Sequence, residues 1–354
     1  MLFPESRGPI YSARGVRSTV DNSASPALFV DKLPPMQDSG SMMTDAPDDT
    51  PAPARKITRL ERKLIEANLE ICEMGNTDRP EYLHALLCQV GLPRSKTEER
   101  HFQRSAGNAS VMISAGGVYD GRDFRLVPLP YGAMPRLTLI HLCSEAIRQQ
   151  SPVIDVGDGI SPFLRSLGLQ IGGAQWDMFK RQMTCLAASE MSFGWLADGR
   201  ITQKKFPPVD TFSAWQNPTT DQRSLWPDEI IMSAGFFETL REHAVPLDPR
   251  AVHALQGSAL ALDVYSWLAA RLCRVRKPEG VKLSWQNLKD QFGHEYATAK
   301  DFKKKFVQAL RKALCVYPDA RVADEMGGIR LYASPPPVKK TTVAGLLKNS
   351  GESI

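Results

Sequence analysis

The sequence predicts a mostly helical α+β protein in which one short order of elements occurs twice. Three observations carry this. Apolar residues recur every three or four positions in two separate series, at 135–186 and 260–313. Each series is followed by two short strand-like runs joined at glycine. Between and outside the two series lie segments rich in proline, serine and charge.

Residues 1–54 hold eight prolines and little apolar periodicity, so they read as a disordered arm and linker. From 55 to 90 the spacing of Leu60, Leu64, Ala67 and Ile71, and again of Tyr82, Leu86 and Leu87, predicts helix. A Gly/Ser/Arg-rich region covers 91–117, and Phe124 to Leu129 reads as a strand stopped by Pro130. Pro135 suits a first helical turn, and Leu137, Ile140, Cys143 and Ile147 give that helix one apolar face. Val153 to Val156 is a short strand. Ser161-Pro162 opens a second helix through Leu164 and Leu167, closed by Gly168. A third follows Gly172-Gly173, burying Trp176, Phe179, Met183 and Leu186. Met191 to Leu196 and Ile201 to Phe206 form a hairpin at Asp198-Gly199.

Residues 211–257 connect the series, with a strand at Glu229 to Met232, a helix at Phe236 to His243, and a linking helix bounded by Pro246, Pro249 and Gly257. The order then repeats. Leu260, Val264, Trp267, Leu268 and Leu272 mark a first helix. Ser284 caps a second that carries Trp285, Leu288 and Phe292 and ends at Gly293. Phe302, Phe306, Ala309, Leu310 and Ala313 mark a third. Arg321 to Glu325 and Ile329 to Ala333 form a hairpin around Gly327-Gly328. Three helices and a hairpin is the order of a winged helix, a helix-turn-helix with a β wing. The organisation expected is therefore an arm at 1–54, an N-terminal winged-helix domain with flanking helices and connector at 55–257, a C-terminal winged-helix DNA-binding domain at 258–334, and a basic tail at 335–354. In that tail, Val343 to Leu347 could form a docking helix.

The whole chain has a formal charge of +5. Between Arg271 and Lys312 twelve Lys/Arg face four Asp/Glu, a local net of +8. The basic charge is therefore concentrated on the second module. At 100° per residue, Lys300, Lys304, Gln308 and Arg311 project opposite the apolar stripe of the third helix, with Lys303, Lys305 and Lys312 flanking it. Such a helix fits a B-DNA major groove, where Lys and Arg reach phosphate or guanine and Gln pairs with adenine. The first module is less basic. Its third helix turns Lys180, Arg181 and Thr184 outward, and its wing carries Arg200, Lys204 and Lys205. For this module self-association competes with DNA contact.

A family resemblance rests on particular runs. Leu129-Pro130-Tyr131-Gly132, Pro135-Arg136 through Leu142, Pro152-Val153-Ile154-Asp155 and Phe179-Lys180-Arg181-Gln182-Met183 with Ala187 to Phe193 resemble the RepA group of plasmid replication initiators. Leu283-Ser284-Trp285 with Leu288, and Asp301-Phe302-Lys303, are similar to it in the second module. The resemblance covers about 125–334. It implies two winged helices that bind repeated sites (iterons) in double-stranded origin DNA, help open the duplex and recruit host replication proteins, with exchange between homodimer and monomer. A winged-helix transcription regulator without a replication role is the alternative.

Catalytic chemistry is not expected. Gly116-x-x-x-x-Gly121 is followed by Arg122-Asp123, without the lysine and hydroxyl of a P-loop, and Gly157-x-Gly159 has Pro162 where a dinucleotide fingerprint needs glycine. No two of the six histidines form His-x-His. His141 reads as a packed core residue and His294 as an exposed turn residue. Trp176, Trp267 and Trp285 read as packing residues. Six scattered cysteines without a Cys-x-x-Cys pair read mostly as buried free thiols, which points to a reducing cytoplasm, a bacterial one as the resemblance implies, and to no metal or other cofactor. No apolar run reaches membrane-spanning length.

Overall fold

Glycine and proline break the first expected helix into three pieces. The computed structural model describes residues 57–107, 109–119, 122–155, 164–165, 167–168, 173–197, 199–212 and 229–339. Helix α1 (Arg59–Met74) starts at a capping box between Thr58 and Glu61 and stops at Gly75, whose φ is +66°. After Pro80 the chain extends into β1 (Glu81–His84), then coils into α2 (Ala85–Val90). Tyr82 therefore lies on a strand, contrary to the helical expectation. The reason is tertiary: β1 pairs antiparallel with β11 (Ala244–Leu247), from Glu81↔Leu247 to His84↔Ala244. A distant partner strand outweighs the local helical spacing.

The Gly/Ser/Arg-rich region at 91–117, to which the sequence assigns no element, contains strands. β2 (His101–Ala106) turns at Gly107 into β3 (Ala109–Ser114), whose Ala109, Val111 and Ile113 are buried in alternation. β4 (Gly117–Tyr119) and β5 (Phe124–Leu126) form a separate two-stranded ribbon, shorter than the expected strand at Phe124 to Leu129. Helix α3 (Ala133–Gln149) was expected to have one apolar face. Instead it buries residues on nearly all sides, including Leu137, Thr138, Leu139, Ile140, Leu142, Cys143 and Ser144. It is a central helix, packed by β1, α4 (Gly173–Ala187) and other elements. β6 (Val153–Asp155) follows it. Most of the expected helix at Ser161-Pro162 lies outside the described residues, as do the arm 1–54 and Val343 to Leu347; Leu164 and Leu167 are buried.

The hairpin of the first module, β7 (Glu190–Ala197) and β8 (Arg200–Phe206), is present but does not stand alone. β7 also pairs with β3, giving a four-stranded sheet of order β2-β3-β7-β8. A second sheet sets β10 (Glu229–Met232) between β6 and β9 (Val209–Phe212). Helices α5 (Ala234–His243) and α6 (Pro249–Leu255) lie in the connector, near the positions the sequence predicts.

His84 closes the core of this half. It is 1% exposed, and its ring stacks on Phe236 at 5.5 Å between centroids. Its Nδ1 accepts from the Leu86 N–H at 3.2 Å, capping α2, which requires an unprotonated nitrogen. Burial, with His243 nearby, pushes its pKa down to about 3. In the unfolded chain a histidine titrates near 6.5, so between pH 6.5 and 3 the unfolded state binds the extra proton. Stability is thus expected to fall as pH drops below 6.5, by up to about 1.4 kcal/mol per pH unit from this group. Urea unfolding between pH 7 and 5 checks this; the slope should shrink in His84→Gln.

The second module follows the predicted order and adds one strand. α7 (Ala259–Arg271) is almost wholly buried, including Val264, Tyr265, Trp267 and Leu268. β12 (Val281–Ser284), absent from the order the sequence predicts, leads into α8 (Trp285–Phe292). α9 (Ala299–Cys315) packs on α7 and α8, and β13 (Val322–Glu325) and β14 (Gly328–Leu331) complete a sheet of order β12-β14-β13. At Gly328, opposite Ser284, an added Cβ would sit 1.9 Å from the Leu283 carbonyl oxygen. Gly328→Ala must therefore push the hairpin off β12 and should destabilise the protein by about 1–3 kcal/mol in denaturant unfolding. An unchanged midpoint would mean that the hairpin shifts freely.

A buried charge network joins α3 to α7 and α9. Arg136 holds Asp263 through both Nε (2.6 Å to Oδ1) and Nη2 (2.8 Å to Oδ2), and also donates to the carbonyls of Leu92, Pro93 and Gly132. Arg94 lies 3.6 Å from the same carboxylate, pairs with Glu295 at 3.2 Å and donates to the Phe292 carbonyl. Glu295 lies in the turn before α9. Asp263 and the arginine side chains are each no more than 6% exposed. A Cβ on Gly91 would meet the Asp263 carboxylate at 2.9 Å, so only glycine fits there.

Candidate nucleic-acid interface

α9 places its charges where the sequence period predicts. Thr298 caps it, its hydroxyl accepting from the Asp301 N–H at 3.1 Å. Phe302, Phe306, Ala309, Leu310 and Ala313 are buried. Lys300, Lys303, Lys304, Lys305, Gln308 and Arg311 are exposed, and Lys312 is half-buried. Among the described residues no carboxylate forms an ion pair with any of these cations. Lys303 has a different neighbour: its Nζ lies 4.8 Å from the centre of the Trp285 ring, a cation–π contact that ties α9 to the start of α8. Trp285 is half-buried and also meets Phe306 edge-on at 6.3 Å. His294, in the turn between the two helices, is exposed.

The hairpin beside α9 handles its charge differently. Glu325 takes two hydrogen bonds from Arg330, both 2.9 Å, and an ion pair from Lys282 at 3.1 Å. The Arg330 hydrogen bonds hold its carboxyl below the usual range. The cations of this sheet are thus engaged within the chain, and its tip offers Met326, 92% exposed, beside Gly327 at φ +85°. Sequence reasoning missed this clasp, which Lys282 joins only because β12 pairs with the hairpin.

The first module presents its candidates less openly. On α4, Arg181 is exposed, but Lys180 and Thr184 are half-buried. The Thr184 hydroxyl donates to the Lys180 carbonyl at 2.9 Å, so it is engaged within its own helix. Val127 and Pro128 lie against this face and, with Asp177, Lys180, Arg181, Thr184 and Cys185, line a shallow depression of about 300 Å³. On β8, Lys205 pairs with Glu190 at 2.7 Å and Lys204 is half-buried, while Arg200 is exposed. The structure therefore gathers the α9 residues on one open face and leaves those of α4 and β8 partly covered.

Among the described residues no three His, Cys, Asp or Glu side chains are placed to hold a metal ion, and no helix is long and apolar enough to cross a membrane. Cys88, Cys143 and Cys185 are buried as free thiols, Cys315 is half-buried, and Cys72 and Cys273 are exposed, which corrects the mostly buried expectation. Trp267 is buried as expected, His141 is half-buried, and the Trp176 side chain lies outside the described residues.

Residues 129–287 match the family described as plasmid encoded RepA protein. Over this stretch, a little under half of the chain, the sequence is similar to the RepA family. The RepA match begins before α3, includes both Arg136 and Asp263, and ends within α8, so α9 lies beyond it. Among solved structures the chain is similar to domains 2 and 3 of RctB, crystallised as selenomethionine derivatives, at 12% identity and a TM-score of 0.46, covering 70% of this chain and 95% of that one. A second structure of RctB domains 2-3 is similar at 11% identity and a TM-score of 0.43, covering 69% and 94%. No curated protein gives a significant match.

Proposed function

We propose that this chain is a plasmid replication initiator that binds repeated sites at its origin through a C-terminal winged helix at 258–334. The observation that carries the reading is the open stripe of Lys300, Lys304, Gln308 and Arg311 on α9, whose cations are left without carboxylate partners among the described residues. The order α7, β12, α8, α9, β13, β14, with β12 paired to β14, supports the winged-helix reading. α9 would enter the major groove, with its flanking lysines on phosphate. The N-terminal winged-helix domain at 55–257 adds weaker contacts through Lys180, Arg181, Thr184, Lys204 and Lys205. The protein works in the bacterial cytoplasm without a catalytic site, opening the duplex by binding and leaving the enzymatic steps to recruited host proteins. Homodimers would form through the first module, where Tyr119, Phe124 and Leu126 of the β4–β5 ribbon are 56–76% exposed and Val153 lies on the edge strand β6.

Footprinting on the parent plasmid, with permanganate probing of a supercoiled origin, tests the reading. Protection of direct repeats with an adjacent opened segment is expected. Protection of one promoter-proximal site without opening would favour a transcription regulator, and a nicked product in Mg²⁺ would overturn the non-catalytic assignment.

A further inference from the structure

α1 has two apolar faces, and only one has a partner in the fold described above. Leu64 and Ala67 pack inward against α6 and α9. Ile65, Leu69 and Cys72 fall within about 60° of one another on a different side, at 100° per residue. Ile65 is 45% exposed, Leu69 is 52% exposed, and Cys72 is exposed as well. Glu66, Glu70 and Glu73 run along one flank of this stripe, and no ion pair engages them among the described residues. The surface is thus an apolar strip whose flank is basic at its start (Arg59, Arg62, Lys63) and acidic beyond Ile65.

The last described residue marks where a partner for it begins. Lys339 donates its N–H to Asn76 Oδ1 at 3.0 Å, and Asn76 Nδ2 donates to the Lys339 carbonyl at 3.1 Å. Asn76 lies two residues past the end of α1. The chain is therefore fastened beside the C-terminal end of the apolar strip with fifteen residues, 340–354, still to follow. Those residues include Val343, Leu346 and Leu347, spaced i, i+3, i+4, with Lys340 before them and Lys348 after. Three residues of spacer reach at most about 11 Å. Eight residues from Val343, if helical, span about 12 Å, close to the rise of about 10 Å from Ile65 to Cys72.

We infer that segment 340–354 folds back along α1, laying Val343, Leu346 and Leu347 on Ile65, Leu69 and Cys72, with its lysines toward Glu66, Glu70 and Glu73. Pattern, reach and charge all match this occupant, and the Asn76 fastening sets its starting point. The arrangement gives the basic tail a structural task separate from DNA binding.

Cys72 reports directly on the cover, and the exposed Cys273 serves as reference in the same molecule. Full-length protein is alkylated with a maleimide under native conditions, and each cysteine is followed by peptide mass spectrometry. Cys72 should react at least tenfold more slowly than Cys273. In a chain ending at Lys339, and in the full-length variant Leu346→Asp with Leu347→Asp, Cys72 should react as fast as Cys273. Circular dichroism confirms that both variants fold. Equal rates in the native protein would overturn the inference. So would protection that survives in the folded variants: if dependent on protein concentration it assigns the strip to a second copy, and if lost on removing residues 1–54 it assigns the strip to the N-terminal arm.

Discussion

The double change Lys304→Glu with Arg311→Glu should abolish specific binding to origin DNA at moderate salt while leaving the protein folded. Both side chains are exposed, and they lie on one stripe seven residues apart, so neither supports the Phe302, Phe306 and Ala313 packing beneath them. Every cation withdrawn from a phosphate flattens the plot of log K against log salt by about 0.9, so withdrawing two changes the slope by about 1.8 before any repulsion from the new carboxylates. If Arg311 instead forks onto a guanine, its removal costs about 1–3 kcal/mol and relaxes specificity at one base pair. The partly covered pair on α4, changed as Lys180→Glu with Arg181→Glu, should cost less. Binding to origin fragments at several salt concentrations, with circular dichroism as the folding control, decides the matter. A folded α9 variant with unchanged affinity and slope would remove this helix from the interface.

Asp263→Ala should be the most damaging single truncation for stability. The carboxylate is buried and holds the Arg136 guanidinium through two hydrogen bonds, with Arg94 on its other side. Removing it leaves buried cations without their counter-charge, which typically costs about 3–5 kcal/mol. Combining Asp263→Leu with Arg136→Met removes both charges and should recover part of that stability. Recovery is incomplete because Arg136 also serves the Leu92, Pro93 and Gly132 carbonyls, which would be left without their donor. Urea unfolding of the three proteins separates these effects. A destabilisation below about 1 kcal/mol for Asp263→Ala would show that water reaches the arginines and replaces the carboxylate.

The second module was legible because its signals are local. Ser284 caps α8 as the sequence predicts, Gly293 ends it, and the apolar spacing from Phe302 to Ala313 fixes which face of α9 is outward. Pairing between distant segments left no such trace. β1 reads as helix because the partner that makes it a strand lies about 160 residues away, at β11. β12 is four residues within a basic stretch and takes its meaning from β14. β3 alternates in burial, but Met112 falls among its half-buried residues with Ser110 and Ser114 and blurs the apolar alternation in a stretch rich in turn formers. The same limit applies to the site. The open face of α9 follows from one helix's period, whereas the covering of α4 depends on where residues 127–128 run. The Arg136–Asp263 pair spans 127 positions that no periodicity links.

The seating of α1 has a bearing on how the chain is made. The Leu64 carbonyl accepts from the Cys315 thiol and Asn68 donates to the Cys315 carbonyl, bonds that join residues 251 and 247 positions apart. On a ribosome adding about 5–20 residues per second, α1 emerges on the order of 10–50 s before the helix it leans on. α6 is made earlier, but until α9 arrives the part of the apolar face that α9 covers has no native partner, so early α1 is a natural client for a holding chaperone. Premature termination before α9 would leave that part uncovered. Truncated fragments retaining 55–257 should therefore be prone to aggregation, even though they contain β1 to β11 and α6.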